Sequence, residues 1–446
     1  MSNNTYPTDA GKTPRREFVK KSAGLAAGAA LAANLTPARA AHGAGDDAIK
    51  IALIGCGGRG TGAAIQALQA MDGKANVKLV AMADAFRDCV DGSLERIKAR
   101  CRDTARVDVP EERKFSGFDG CEQAIHADVD VVLLCTPPGF RPMQFEAAVT
   151  AGKHVFMEKP VAVDAPGIRK VLAANEVAKK KGLAVCVGLN MRHTNGLREV
   201  ANRVRDGILG RLLYLRCYCN NAGVWVRPRE PGQTEMEYQM RNWYYFNWLC
   251  GDHIVEQHVH LLDLVNWMKG DHPVEANGMG GRQVRKGKDH GEIYDHHAVE
   301  YTYADGTKMF SFCRHIPGCW NHGGGYAHGT EGTADAGGDL SVRLNAKEPM
   351  QFERGPDGHQ VEHDDLFAAL RAGEPFNEGD YGATSTMTAI LGRMATYSGK
   401  VVTWDEAIGS QIDLSPERYA WDADPPILPD QNGFYACAIP GVTKAT

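Results

Sequence analysis

The sequence predicts an α/β fold in which an N-terminal Rossmann domain, with a doubly wound parallel sheet, precedes an α+β domain with a large, mostly antiparallel open sheet. Up to residue 189, apolar strand-like runs alternate with helix-like runs, which is typical of a parallel sheet. Farther along, β-rich runs such as 298–303 and 308–313 follow one another directly, as they do in antiparallel sheets. We therefore expect domains at 48–190 and 191–446.

A glycine-rich turn links the first predicted strand to the first helix. It reads Gly55-Cys56-Gly57-Gly58-Arg59-Gly60 and fits the pattern G-x-G-x-x-G. The first glycine permits a tight turn, the second lets a pyrophosphate approach the backbone, and the third lets the helix pack closely. The helix N-terminus then attracts phosphate. In a chain with 50 glycines, a turn without a ligand is the alternative. The flanking strand and helix favour a dinucleotide site that includes Gly58 and Arg59.

An acidic residue follows the second predicted strand, 77–83. Asp84 stands at the carboxyl end of that strand, where a carboxylate can accept hydrogen bonds from both hydroxyls of an adenosine ribose. The same negative charge repels a 2′-phosphate, so the sequence favours NAD over NADP as the cofactor. Arg87, three residues on, weakens this preference slightly.

Two further turns end predicted strands of the same sheet. They are Thr136-Pro137-Pro138 and Glu158-Lys159-Pro160. Because the carboxyl ends of parallel strands meet at one edge of the sheet, we expect these turns to border the cofactor cleft. The predicted cofactor contacts here are Thr136, Pro137, Glu158 and Lys159. An ammonium at Lys159 can also bond a substrate hydroxyl and stabilise the alkoxide that develops as hydride leaves its carbon.

A second stretch with chemical character, residues 252–263, predicts a helix that is apolar over most of its circumference. Four ionisable residues interrupt it at spacings of 4, 4 and 3, so they line one face: Asp252, Glu256, His260 and Asp263. Ionisable groups on a buried helix are costly unless they pair or line a cleft. We therefore expect this row to face the active site. A row of satisfied buried salt bridges is the alternative.

Several of these motifs together resemble the Gfo/Idh/MocA family, whose members are NAD(P)-dependent enzymes that act mostly on sugars and cyclitols. The motifs are the glycine pattern, Thr136-Pro137-Pro138, Gly152-Lys153-His154-Val155 and Glu158-Lys159-Pro160. The resemblance covers nearly all of the chain after the N-terminal region and is weaker at 224–246 and after Trp404. It implies that Lys159 lies at the active site.

The family pattern of an acid, a histidine and an aspartate matches Glu256, His260 and Asp263, with glutamate in place of the more usual aspartate. The resemblance implies that His260 takes the hydroxyl proton while Glu256 orients or charges the imidazole. Either Lys159 or His260 can serve as the base. We expect Asp263, Arg192 and Tyr294 to bind the substrate.

Histidine-rich groups raise the alternative of a metal site. The two groups are His253, His258 and His260, and His290, His296 and His297. Imidazole is a common zinc ligand, but these spacings match no standard zinc site, and hydride transfer needs no metal. We therefore expect no metal.

The N-terminal 40 residues resemble an export signal. The paired arginines Arg15-Arg16 precede an alanine-rich run of 11 residues, 23–33, and Ala38-Arg39-Ala40 supplies small residues for signal-peptidase cleavage. The run is too short to span a bilayer, which needs about 20 apolar residues. We expect a twin-arginine signal, the export machinery as a partner, and a mature chain that begins near Ala41 in the periplasm. An uncleaved anchor or a disordered basic tail is the alternative.

Composition is that of an enzyme-sized globule. The formal net charge is −5 at pH 7, which argues against nucleic-acid or anionic-membrane partners. The chain has 12 cysteines but no Cys-x-x-Cys sequence. We therefore expect mostly small buried thiols and no disulfide framework.

Export bears on the expected activity, because little free NAD is present outside the cytoplasmic membrane. The leading hypothesis is an oxidoreductase that transfers hydride between a sugar, cyclitol or related carbohydrate and a tightly held cofactor, in a homo-oligomer assembled through the C-terminal sheet. The alternative is an NAD-dependent glycosidase that oxidises C3 transiently and eliminates the glycosidic bond. A sugar-binding protein without catalysis is disfavoured because the whole catalytic set is present.

Overall fold

The computed structural model describes residues 47–446. The predicted export signal at residues 1–40 lies outside this range. Within the described range, no helix is both long enough and apolar enough to cross a bilayer. All 12 cysteines fall inside it and carry free thiols.

The first sheet consists of six parallel strands. They are β1 (Ile49–Ile54), β2 (Val77–Asp84), β3 (Lys114–Ser116), β4 (Val131–Leu134), β5 (His154–Met157) and β6 (Val185–Val187). The spatial order is β3-β2-β1-β4-β5-β6. The central strands are buried on both faces because nearly all their side chains are apolar. The strand order changes direction between β1 and β4, which creates a crevice at their carboxyl ends.

Five helices alternate with these strands and cover both faces of the sheet. They are α1 (Gly58–Gln69), α2 (Arg87–Arg100), α3 (Gly120–Ile125), α4 (Arg141–Thr150) and α5 (Ala165–Lys180). The carboxylate of Asp164 caps α5 by accepting a hydrogen bond from the N–H of Gly167 at 2.8 Å. This alternation of strand and helix produces the parallel sheet.

The second sheet has nine strands. They are β7 (Leu212–Asn221), β8 (Pro273–Gly281), β9 (His296–Tyr303), β10 (Lys308–His315), β11 (His322–Gly329), β12 (Gly332–Asp335), β13 (Ser341–Leu344), β14 (Met350–Gln351) and β15 (Val402–Thr403). The order is β14-β13-β12-β11-β7-β10-β9-β8-β15, and every neighbouring pair is antiparallel except β7 with β10. The two sheets confirm the predicted fold class.

Eight more helices lie in the rest of the described chain, most of them beside the second sheet. They are α6 (Asn195–Arg205), α7 (Glu235–Arg241), α8 (Asn247–Cys250), α9 (His253–Glu256), α10 (Val259–Lys269), α11 (Gly358–Ala372), α12 (Gly379–Ser398) and α13 (Trp404–Gly409). One face of the sheet packs against α10 and α12. Along β9 and β10, side chains alternate between this buried face and an outer, partly exposed face.

The single helix predicted over 252–263 is wrong. The helical conformation stops after Glu256 and starts again at Val259, and Asp252 precedes it with a φ of +71°. The break arises because the N–H of His258 donates to the oxygen of His253, five residues earlier, which widens the turn. The His258 side chain then points into the second sheet and bonds the Ser311 hydroxyl at 2.7 Å. The predicted polar row is therefore divided between two helices.

The chain returns to the first sheet after completing most of the second. On α11, Leu366 and Phe367 share a hydrophobic core with Ile51 and Leu53 of β1. The N–H of Val185 on β6 then donates to the oxygen of Phe376 at 3.0 Å. Helix α12 contacts both α5 and β8, so it lies at the junction of the two sheets.

Candidate active site

The glycine-rich turn between β1 and α1 is tightly packed on one side and open on the other. A Cβ atom on Gly55 would lie 2.4 Å from the backbone of Cys135, and one on Gly60 would lie 1.9 Å from the Gly55 oxygen. Gly55 also has a φ of +96°, a conformation that glycine adopts readily and other residues rarely adopt. Among the described residues, no atom lies within 4 Å of a Cβ placed on Gly57 or Gly58. The open backbone leaves room for a pyrophosphate at the N-terminus of α1.

Asp84 ends β2 and lies against the same turn. Its carboxylate accepts hydrogen bonds from the backbone N–H of Cys56, at 2.7 Å, and from that of Phe86, at 3.0 Å. Burial raises the pKa of this carboxyl group. The two donors hold the carboxylate beside the turn, so two predicted cofactor-binding features meet.

A cavity of about 340 Å³ runs along the crevice. Its wall on the side of the first sheet includes the glycine turn, Asp84, Thr136 and Pro137. The opposite wall comes from the segment between β7 and α8 and includes Trp225 and Trp243. A segment in which the family resemblance is weak therefore closes the cleft.

Two side chains predicted to bind the cofactor bind each other. The Nε of Arg59 lies 2.6 Å from Oε1 of Glu158, and its Nη2 lies 3.9 Å from Oε1 of Glu362. Both carboxyl groups are buried. Burial, and then the neighbouring Glu158, raises the pKa of Glu362 well above its ordinary value. The raised pKa favours the protonated form of Glu362, and the guanidinium lies closer to Glu158.

Lys159, which follows β5, and Glu256, at the end of α9, form a buried ion pair. The Nζ donates to Oε1 of Glu256 at 3.0 Å and to the backbone oxygen of Glu256 at 2.6 Å. Each side chain is 11% exposed. The Oε2 atom of Glu256 has no hydrogen-bond partner among the described residues. The structure brings together two predicted catalytic residues that are 97 positions apart in the sequence.

His260, in the first turn of α10, lies within electrostatic reach of Lys159. Burial, and then the positive charge of Lys159, holds the pKa of the imidazole well below its ordinary value. Its Nδ1 atom is buried and has no hydrogen-bond partner among residues 47–446. The ring is therefore neutral at neutral pH and can accept a proton.

The residues predicted to bind the substrate have partners of their own. The Arg192 guanidinium contacts the Asp263 carboxylate through Nε, at 3.0 and 2.9 Å, and through Nη2, at 2.7 Å. The Ser385 hydroxyl donates to the same carboxylate at 2.7 Å, and Asp263 is fully buried. The Tyr294 hydroxyl donates to the oxygen of Ala438 at 2.9 Å. Within the described part of the chain, none of these hydrogen bonds or ion pairs involves Lys159 or Glu256.

The structure groups Asp252, His253 and His297, a set that differs from both histidine groups considered above. One ligand atom from each of them lies within 4.8 Å of the other two. The Oδ1 atom of Asp252 accepts a hydrogen bond from Nδ1 of His253 at 2.8 Å, and Oδ2 accepts one from the Tyr397 hydroxyl at 2.5 Å. Both carboxylate oxygens therefore have protein partners. The arrangement is a hydrogen-bonded cluster on the buried face of the second sheet.

Several described residues with unpartnered buried polar atoms are absent from the sequence predictions. Two of them are Tyr244, through its hydroxyl, and Arg285, through Nη1. Both lie outside the longer helices and strands, where no periodic pattern indicates burial. The one sequence signal is the aromatic run 243–246, which predicts a buried surface without saying what it faces.

A buried histidine makes stability dependent on pH. Burial, and then the charges of His253 and His297, lowers the pKa of His258 to about 3. An unfolded histidine has a pKa of about 6.5. Between these two pKa values the unfolded chain binds one proton more than the folded chain, so the free energy of unfolding decreases as the pH falls below about 6.5. Between pH 6.5 and 5, the free energy of unfolding should decrease by about 2 kcal/mol less in His258→Gln than in the wild type. Urea unfolding at both pH values measures this, with the exposed His126→Gln as the control, and equal losses in the variant and the wild type would contradict it.

Two family models match the chain. One, described as an oxidoreductase family with an NAD-binding Rossmann fold, matches residues 49–189. The other, the GFO/IDH/MocA C-terminal domain, matches residues 197–335. Together they cover well over half of the chain and span both sheets.

Characterised relatives match parts of the chain. An inositol 2-dehydrogenase of Rhizobium meliloti (strain 1021) is 28% identical over 200 residues, which are 44% of this chain and 49% of that enzyme. An inositol 2-dehydrogenase of Pseudomonas syringae pv. syringae is 36% identical over 106 residues, which are 24% of this chain and 31% of that enzyme. The chain therefore spans at most about half the length of these relatives.

Solved structures share the fold over most of this chain. Aldose-aldose oxidoreductase from Caulobacter crescentus, complexed with glycerol, has a TM-score of 0.61 at 20% identity and covers 80% of this chain and 100% of its own. Levoglucosan dehydrogenase, in complex with NADH and levoglucosan, has a TM-score of 0.63 at 16% identity and covers 80% of this chain and 99% of its own. At this level of identity, the likeness concerns the fold.

Proposed function

Since the chain belongs to the GFO/IDH/MocA family of oxidoreductases, we propose that it is an exported enzyme that transfers hydride between a carbohydrate carbon and a tightly held NAD. The nucleotide half comprises residues 48–190, and the substrate half comprises residues 191–446. The observation that carries the proposal is the Lys159–Glu256 ion pair, because it joins the edge of the first sheet beside the cofactor crevice to the helices of the second sheet.

The glycine turn, Asp84 and Thr136 would hold the nucleotide, which supplies a hydride acceptor or donor when bound. Lys159 pairs with Glu256 and stabilises the substrate oxygen as negative charge develops on it. His260 is neutral, so it takes the proton from that hydroxyl. Glu256 orients the ammonium and offers its free oxygen to a neighbouring hydroxyl. We assign proton acceptance to His260 because its imidazole is neutral.

The surroundings of Asp84 support NAD over NADP. Arg87, which the sequence offers as a partner for a 2′-phosphate, forms ion pairs with Asp91 at 3.0 Å and with Glu111. Arg241, which lines the cavity, pairs with Asp88 at 3.1 Å. Both guanidinium groups are therefore engaged, and a 2′-phosphate would face the Asp84 carboxylate.

An aromatic cover supports tight retention of the cofactor. Phe86 and Phe118 line the cavity, and Trp421 of the C-terminal tail lies against both, with ring centroids 5.3 and 4.7 Å away. Tyr419 completes the cover, with its ring 6.2 Å from Phe118. The tail therefore packs against two aromatic residues that line the crevice, which suits an enzyme that cannot exchange its nucleotide outside the cytoplasmic membrane.

Trp421→Ala should speed release of bound nucleotide by about tenfold or more, because it removes two aromatic contacts that must open before release. Stopped-flow displacement by excess nucleotide analogue measures the release rate. Phe434→Ala, which truncates a more exposed aromatic residue of the same tail, is the control and should leave the rate unchanged. An unchanged rate in Trp421→Ala would rule out the cover as the barrier to release.

The outer face of the second sheet supports a homo-oligomer. It presents an aromatic patch defined by Tyr214, Phe310, Phe312 and Trp320, whose exposed fractions are 38, 37, 37 and 62%. A contiguous apolar patch of this kind on a sheet face fits a second copy of the same chain. We therefore infer that two chains pack through this face.

The double variant Phe310→Lys/Phe312→Lys should be monomeric, because two charges at the centre of an apolar interface are costly to desolvate. Analytical ultracentrifugation of this variant and of Val401→Lys, which charges an apolar residue that is 60% exposed and outside the patch, tests the assignment. Dissociation of both variants, or of neither, would reject this face as the interface.

The experiment for the function offers free sugars, cyclitols and aryl glycosides to the purified chain and follows the redox state of its nucleotide. We expect a free sugar or cyclitol to change that state and Glu256→Gln to slow the change. Phenol release from an aryl glycoside without net change in the nucleotide would instead assign the redox-neutral glycosidase. Sugar binding without either reaction would assign a binding protein and overturn the proposal.

A further inference from the structure

Arg285 lies in the segment between β8 and β9, and its position is fixed by one carboxylate. The Oδ2 atom of Asp295 accepts hydrogen bonds from the backbone N–H groups of Gln283, Val284 and Arg285, at 2.8, 2.7 and 3.2 Å. Asp295 is fully buried. The backbone that carries the arginine is therefore held in one conformation, and its side chain starts from a fixed point.

The guanidinium of Arg285 has no acidic partner. It is 6% exposed, and no carboxylate of residues 47–446 forms an ion pair with it within 4.0 Å. Its Nη1 atom is fully buried without a hydrogen-bond partner in that range. The Tyr245 ring, 5.2 Å from the guanidinium carbon, provides only a cation–π contact. A buried, unpaired charge is costly, so a ligand that supplies the negative charge would relieve the cost.

Other unpartnered polar groups surround the guanidinium. A Cβ atom on Gly223 would lie 2.2 Å from Nη2 of Arg285 and 3.5 Å from Cβ of His315, so these two residues are neighbours. Both ring nitrogens of His315 are buried and unpartnered among the described residues, as is the hydroxyl of Tyr244. The Tyr244 and His315 rings stack, with their centroids 6.0 Å apart. A polar ligand beside them would satisfy all three groups at once.

This group of side chains lies next to the proposed reaction centre. The Tyr244 ring contacts Trp225 and Trp243, at 6.2 and 5.5 Å, and both tryptophans line the cofactor cavity. On the other side, the His315 ring stacks on His253, at 4.4 Å, in the same helix turn as Glu256. Burial raises the pKa of the Tyr244 hydroxyl, and the charges of Glu256 and Arg285 also act on it, so this hydroxyl lies within electrostatic reach of both the guanidinium and the proposed reaction centre.

We propose that Arg285 binds a carboxylate of the substrate, so that the substrate is an acidic sugar such as a hexuronate or an aldonate. The proposal rests on the proposed function, because it deepens the substrate assignment of the same site. A planar guanidinium matches a carboxylate in two parallel hydrogen bonds. The charges also match, because Lys159 already pairs with Glu256. The Arg285 guanidinium is then left to pair with one substrate carboxylate. The Tyr244 hydroxyl and the His315 ring then bond the neighbouring hydroxyls.

The test compares hexuronates with the hexoses of the same configuration, so that each pair differs only at C6. We expect the wild type to favour the acid of a reactive pair by about a hundredfold in kcat/KM, since losing one partner of a buried charge pair costs about that much. In Arg285→Met, kcat/KM for the acid should fall by about this factor, while kcat/KM for the neutral sugar should change by less than about threefold. Arg285→Lys should recover part of it, because the charge remains.

Arg282→Met is the matched control, since Arg282 bonds only the backbone oxygens of Ile293, His290 and Gly291 in the same segment. Thermal unfolding and nucleotide content confirm that each variant is folded and loaded. Equal rates on the acid and the neutral sugar, or an equal loss on both in Arg285→Met, would overturn the carboxylate assignment and leave the proposed function standing. If a loaded enzyme reacts with no hexuronate or hexose, and with no other sugar or cyclitol, the proposed function falls together with this inference.

Discussion

Replacing Lys159 with methionine should lower the rate of hydride transfer by about 10²- to 10³-fold, the usual effect of removing one group that stabilises developing negative charge, while nucleotide stays bound. The ammonium bonds Glu256 beside the cofactor crevice, and methionine fills a similar volume without charge. Its partner carboxylate, Glu256, is 11% exposed and would be left unpaired, so the variant should also be less stable. Single-turnover absorbance of the bound nucleotide measures the rate, and thermal unfolding measures the stability.

A double variant separates the two effects. Lys159→Met/Glu256→Gln replaces the unpaired carboxylate with a neutral amide, so stability should return towards that of the wild type while activity stays low. Lys153→Met is the surface control, because the Lys153 Nζ bonds only the backbone oxygen of Val129. Wild-type turnover in Lys159→Met, with the protein folded and loaded, would show that Lys159 takes no part in the reaction.

Gly60→Ala should destabilise the cofactor turn and abolish nucleotide binding. The added Cβ would lie 1.9 Å from the Gly55 oxygen, so α1 must move away from the turn. Overpacking of this kind costs about 3 kcal/mol or more when backbone atoms clash. Displacing α1 also removes its N-terminus from the place where phosphate would bind. Nucleotide content after purification and urea unfolding are the measurements.

Gly62→Ala is the matched comparison, two residues farther along the same helix. There the nearest atom to the new Cβ is Nη1 of Arg59, at 3.6 Å, which is ordinary contact. Alanine favours a helix over glycine by up to about 1 kcal/mol, so this variant should bind nucleotide and be as stable as the wild type or more so. Full binding in Gly60→Ala would mean that the turn is not packed as described.

The first sheet was predictable because its sequence signals are local. Each strand is a short apolar run, and each turn that borders the crevice contains residues with distinct backbone demands, such as Gly55 with its positive φ. Strand β5, for example, is the short apolar run His154–Met157, directly before the turn Glu158-Lys159-Pro160. In a parallel sheet, the carboxyl ends meet by construction, so the sequence order alone brings Asp84 beside the glycine turn.

The second sheet was harder to predict because several strands lack strand-forming residues. Strand β11 reads His-Gly-Gly-Gly-Tyr-Ala-His-Gly and β8 begins with proline and ends with two glycines, compositions that disfavour strands. They are strands because their neighbours supply the hydrogen bonds and because Gly325 lets the sheet approach Leu264 and Val265 of α10. Tertiary contacts of this kind leave no local pattern.

The candidate site was likewise predictable only in part. Lys159 and Glu256 could be identified separately, one from its strand-end motif and one from its spacing, but their contact joins residues 97 positions apart. The unpaired state of Arg285 could not be read from sequence, since it depends on every acid of the fold lying elsewhere. The side chain of His258, at the break before Val259, likewise bonds Ser311 on a strand of the second sheet, a contact that leaves no local pattern.

Hydride transfer by this chain requires a nucleotide held between the first sheet and the helices of the second, and the nucleotide content of the purified chain tests this most directly. After gentle purification and denaturation, we predict about one equivalent of NAD or NADH per chain, as expected for a single Rossmann site. A reactive carbohydrate should change its redox state before denaturation without releasing it. A chain that is empty as purified, and that takes up neither NAD nor NADP when it is supplied, would contradict the account.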